Sequence, residues 1–124
     1  MPSTPSSTGT ETTLTIFKDA DLETTAAVVS DESTSLSFIE VVNADSAIRY
    51  LKLYNTPSPT VGTTQPDMIL PIYNGETATI TFKTPIVFDT GLSMIMSDAV
   101  GTPAGSAPSG SCVIHLGIAT SDNA

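Results

Sequence analysis

Apolar residues in this chain recur at every second position and rarely at the three-to-four spacing of a helix. A period of two sends successive side chains to opposite faces of an extended strand. Leu14 and Ile16, set between threonines, predict the first strand. The acidic stretch Lys18 to Glu23 follows, then the run Thr24 to Val29, which ends at a turn over Asp31-Glu32-Ser33. Ser35 to Val42 predicts a strand with Leu36, Phe38 and Val42 on one face, interrupted by Glu40, and Ile39 and Val41 on the other. Ala47 to Tyr54 has apolar groups on both sides: Ile48, Tyr50 and Tyr54 oppose Leu51 and Leu53. That pattern predicts a central strand or one covered on two sides.

Met68 to Tyr73 is interrupted by Pro71, which points to an edge strand or a bulge because proline cannot donate to a ladder. Asn74-Gly75 then predicts a tight hairpin, since the pair tolerates positive φ. Thr77 to Phe82 alternates cleanly, with Ala78, Ile80 and Phe82 inward. Pro85 to Phe88 is a separate short apolar segment. Leu92, Met94 and Met96 share a face, and so do Cys112, Ile114, Leu116 and Ile118, with Val113 and His115 opposite them. No window has a helix's apolar spacing with caps. About eight short strands between Gly, Pro and Asn loops predict an all-β fold, an antiparallel, jelly-roll-like β-sandwich. Both sandwich and jelly-roll strand orders fit the pattern. The sandwich is expected over residues 13–120, after a flexible Ser/Thr/Pro-rich arm over 1–12 and before a tail over 121–124.

Composition narrows the function more than the fold. The chain has 124 residues and a net charge of −9, with 4 basic and 13 acidic residues. So few cations cannot neutralise a phosphate backbone, so no nucleic-acid partner is expected. No stretch approaches the ~20 apolar residues of a membrane helix, and the N-terminus has no apolar core of a secretory signal, so no membrane partner is expected and synthesis in the cytoplasm is. Serine and threonine supply about a quarter of the chain and charged residues only 14%. One cysteine, Cys112, excludes an internal disulfide framework, and its apolar neighbours predict a buried, unreactive thiol.

The residues that could carry chemistry are few. His115 sits mid-strand and is expected on the outer face or at a subunit contact. A nucleophile elbow of the form G-x-S-x-G is absent. Asp19, Asp21 and Glu23, with Asp31 and Glu32, read as a solvated acidic rim; they lack the spacing of a calcium loop. Tyr50, Tyr54 and Tyr73 could stack on a sugar, but their strand positions favour packing. No catalytic site, metal or cofactor is expected.

What remains fits a structural or binding module, one whose edge strands would be covered by assembly into a homo-oligomer, with a trimer favoured. The run Arg49 to Asn55, then Pro59-Thr60-Val61-Gly62-Thr63 and Pro66, resembles a pattern in small virion structural proteins of tailed bacteriophages. The likeness continues through Leu70-Pro71-Ile72, Ile80-Thr81-Phe82 and Phe88 to Ser93, and so covers about the last two thirds of the chain. The resemblance implies a β-sandwich on the virion, most like a capsid decoration or cement protein on the outer shell surface. Its partners would be the major capsid protein and copies of itself. Two alternatives stand beside it: a tail, neck or fibre component with receptor-binding loops, and a free carbohydrate-binding module or small hydrolase. Under the capsid reading the arm lies along the shell, through Pro2, Ser3, Thr4 and Pro5, and then Thr8, Thr10 and Thr12. The long loops Thr56 to Asp67 and Asp98 to Gly110 are expected at interfaces, through Pro57, Pro59, Val61 and Pro66 in the first and Val100, Pro103 and Pro108 in the second.

Overall fold

A computed structural model describes residues 14–120. The arm over 1–12 and the tail over 121–124 lie outside the described residues. The described chain forms eight strands: β1 (Leu14–Asp19), β2 (Ala27–Ser30), β3 (Thr34–Val42), β4 (Arg49–Tyr54), β5 (Met68–Ile72), β6 (Thr77–Phe88), β7 (Leu92–Ser97) and β8 (Val113–Thr120). They build two four-stranded antiparallel sheets, sheet A in the order β1-β8-β3-β6 and sheet B in the order β2-β7-β4-β5. Every strand pairs with the one whose number complements its own to nine: β1 with β8, β2 with β7, β3 with β6, β4 with β5. The chain is therefore one long hairpin rolled into a double-layered barrel, which is the jelly-roll order.

The core lies between the layers. Leu36, Ile39, Val41, Ile114, Leu116 and Ile118 face it from sheet A, and Leu51, Leu53, Ile72, Leu92, Met94 and Met96 from sheet B. Leu22, in the acidic connection after β1, is also buried there, anchored by its amide on the Cys112 carbonyl at 3.1 Å. Each fully buried aliphatic side chain contributes about 1.5–3 kcal/mol relative to exposure.

Three sequence expectations change in the structure. Phe38 and Val42 do not share a face with Leu36. A register shift between Leu36 and Phe38 adds one residue, and a one-residue slip turns the later side chains over. Ile39 and Val41 thus join Leu36 in the core, while Phe38, Glu40 and Val42 point outward, so Glu40 interrupts nothing. Asn74-Gly75 is a tight turn, with Gly75 at φ 70 and the Glu76 amide on the Tyr73 carbonyl at 3.0 Å. It does not close a hairpin, because β5 and β6 belong to different sheets. Finally, β6 runs unbroken through Pro85. It can do so because β6 is an edge strand, and because residues 82–85 bulge out between the Phe38–Thr81 and Leu36–Ile86 pairings.

Candidate functional site

The two broad outer faces of the sandwich have opposite characters. On sheet B the outward side chains of the two central strands, β7 and β4, are not exposed, whereas Val28 on β2 and Pro71 on β5, at the edges, are. Lys52 and Tyr54 on β4, and Ser93, Ile95 and Ser97 on β7, are all at 0% exposure although they point away from the core. The cover is the chain's own. The loop after β4 and the loop after β7 start at opposite ends of the sandwich and meet over this sheet. A Cβ placed on Gly62 would lie 3.8 Å from that of Ala104.

Several bonds hold the cover down. The Ser93 hydroxyl donates to the Thr56 carbonyl at 2.7 Å, and the Asn55 amide to the Asp67 carboxylate at 2.7 Å. The Lys52 ammonium donates to the Pro103 carbonyl at 2.7 Å. Burial pulls the Lys52 pKa down, and the charge of Asp98 partly opposes it. Burial pushes the Tyr54 phenol up.

This arrangement locates the loop residues singled out from the sequence. Pro57, Pro59, Val61, Pro66 and Pro108 are half-buried; Pro103 is exposed, and Val100 is 63% exposed. Pro57 packs so close to Gly91 that a Cβ on that glycine would sit 2.7 Å from the proline ring. The arm positions Pro2, Ser3, Thr4, Pro5, Thr8, Thr10 and Thr12 lie outside the described residues.

The outer face of sheet A carries no such cover among the described residues. Strand register lines its side chains into rows across β1, β8, β3 and β6. One row is Leu14, Ala119, Ser35 and Val87; the next is Ile16, Gly117, Phe38 and Thr81; the third is Lys18, His115, Glu40 and Thr79. Leu14, Ile16 and Val87 are 59%, 55% and 58% exposed, and account for half of the large exposed apolar residues among those described. The Phe38 ring lies flat over Gly117: a Cβ there would come within 2.2 Å of it. His115 Nδ1 sits 3.3 Å from Glu40 Oε1 in the middle of the face. His115 is thus on the outer face, as the alternation predicts.

Beneath one end of the sandwich lies a polar hub that the sequence pattern marks only as a break. Asn43 is fully buried. Its amide donates to the carbonyls of Ala47, Ile72 and Tyr73 at 3.0, 2.9 and 3.2 Å, and its side-chain oxygen accepts from the Asp45 amide at 2.9 Å. Asp45 in turn accepts from the Ser109 amide and hydroxyl at 2.9 and 2.8 Å and faces Arg49 Nε at 2.9 Å. The Ser109 and Ser46 donors, with Arg49 adding charge, hold the Asp45 carboxyl at a pKa of about 2. The Cys112 thiol donates to Asn43 Oδ1 at 3.6 Å, and burial pushes its pKa up. These partners are up to 69 residues away in sequence, which no local pattern discloses.

No pocket forms among the described residues, and no three of their His, Cys, Asp or Glu side chains come together as metal ligands. The three tyrosines do not make a platform: Tyr54 is under the loops, Tyr50 is half-buried, and Tyr73 is exposed at the Asn74-Gly75 corner. Leu92, Met94 and Met96 are in the core.

No protein family model matches the chain, and no curated protein matches it. A solved chain from the Bacillus endospore appendages, a family of disulfide-linked pili, aligns over 97% of this chain and 98% of its own, with a TM-score of 0.44 and 12% identity. A likeness at that level carries no functional argument.

Proposed function

We propose that the chain is a structural protein of a bacteriophage virion: a capsid decoration, or cement, protein. It sits on the outer shell surface, binds the assembled major capsid protein and bridges neighbouring subunits without making or breaking a bond. One observation carries this reading. The sandwich has one broad face covered along its central strands by its own loops and the other bare, with Leu14, Ile16 and Val87 exposed beside a polar row, and no cleft among its described residues. Exposed apolar side chains gathered on one uncovered face mark a contact surface. Jelly rolls serve as viral capsid and lectin domains, which agrees with the phage resemblance at the level of fold analogy. A ligand that binds only the assembled shell stabilises it by mass action, and many copies together add avidity.

The test is to add purified protein to expanded capsids that lack it and count bound copies. Stoichiometric occupancy with the major capsid protein, and a higher disruption temperature of the shell, are expected. A few copies per particle would instead mark a tail, neck or fibre part. No binding at all would end the virion reading.

A further inference from the structure

The rows on the outer face of sheet A have a symmetry of their own. Lys18 on β1 and Glu40 on β3 flank His115 on the central strand β8 at equal strand spacing, in one row. Consider a second copy laid on this face about a two-fold axis running along β8. Lys18 of each copy then lies over Glu40 of the other. Ile16 of each lies over the backbone position of Phe38 of the other, and the two Phe38 rings, each already over its own Gly117, meet at the axis. We infer that the bare face of sheet A is covered by the same face of a second copy of this chain, in an isologous pair. This deepens the assembly part of the proposed function and rests on it only in part, since the pairing is written into the face itself.

Charge supports a second copy as the occupant. The chain carries −9 and its copies repel, so association needs a face from which the acidic groups are kept away. In these rows Glu40 is the only acidic side chain, and Lys18 balances it. Of the other three cations, Arg49 is on Asp45, Lys52 is buried, and Lys83 is exposed on the edge strand β6, outside these rows. Area sets the strength. With the axis on β8 the strands β1, β8 and β3 overlap and β6 stays outside. Three strands at ~4.8 Å by about 20 Å of strand give about 290 Å² per copy, about a third that of a standard interface. The pair is therefore reversible and concentration-dependent. The sequence favours a threefold ring; the face-to-face pair is inferred here because a two-fold makes both Lys18–Glu40 contacts in one interface.

The experiment is sedimentation of the full chain from about 10 μM to about 1 mM, the range over which an interface this small dissociates. A monomer–dimer equilibrium is expected, with no larger species. Lys18→Glu and Glu40→Lys, which sit on the surface, are each expected to weaken it at least about tenfold, because the two-fold doubles every repulsion. The double exchange Lys18→Glu/Glu40→Lys is expected to restore it to within about threefold, with the thermal midpoint unchanged throughout. A monomer at all concentrations, a trimer, single variants without effect, or a double variant that fails to recover would each overturn the pair. Capsid occupancy measured on the same proteins separates the two readings. Binding that persists with a monomeric chain sinks only the pair, and a dimer that ignores capsids sinks only the virion assignment.

Discussion

Asn43 shows how much of this fold can depend on one side chain. Its amide and oxygen satisfy three carbonyls and one amide from two separate segments, 45–47 and 72–73. Asn43→Ala removes all four bonds, of which those to the Ile72 carbonyl and from the Asp45 amide are buried, and a loss of about 2–4 kcal/mol is expected in urea unfolding. A cost below about 1 kcal/mol would mean that water replaces the amide. The neighbouring Asp45 supplies a pH signature. Its folded pKa of about 2 lies below the ordinary 3.8, so the folded state binds its proton less readily than the unfolded chain does. The stability it contributes is fully present above pH 4 and is lost as pH falls toward 2. In Asp45→Asn the urea midpoint is expected to vary less with pH across this window than in the natural chain. An unchanged slope would show that Ser109 and Arg49 do not hold the charge.

At the scale of elements, the strands themselves were legible and their faces only partly so. The alternation in Thr77 to Phe82, in Leu92 to Met96 and in Cys112 to Ile118 locates strands and core correctly, because each has one simple face. β3 misleads because its bulge at Ser37 has no sequence marker; nothing in Ser35-Leu36-Ser37-Phe38 tells a regular strand from a slipped one. The bulge has a use: it brings Phe38 over Gly117, where the ring shields bare backbone that a side chain would otherwise cover. Phe38→Ala is expected to cost about 1–2 kcal/mol. Gly117→Ala alone pushes the ring away and destabilises, yet in the Phe38→Ala background it is expected to be neutral or stabilising. A double-mutant cycle by thermal melting reads that change of sign, and additive effects would refute the shielding. The edges follow a second logic. Pro71 blunts β5, and Pro85 with Lys83 and the bulge blunts β6. Replacing Lys83 and Pro85 together by valine restores a flat apolar edge, so light scattering is expected to rise with concentration while the natural chain stays clear.

The whole molecule follows from long-range pairing that a linear pattern cannot express. Turn and strand signals predict about eight strands, but the complement-to-nine pairing of a rolled hairpin appears only once distant strands are matched. The two long loops carry a second role that their length does not disclose: they cover the central strands of sheet B of their own chain, while Val100 and Pro103 remain exposed. The arm is a different case. Among the described residues the core runs from Leu22 to Ile118. Removing residues 1–12, whose composition is that of a flexible arm, is expected to leave the melting transition within a few degrees of the natural chain. If the segment binds along a shell, its removal lowers capsid occupancy severalfold at fixed protein concentration, since each lost contact acts at every copy. Full occupancy by the truncated chain would place shell binding in the sandwich alone. A lowered melting point would show that the arm belongs to the fold.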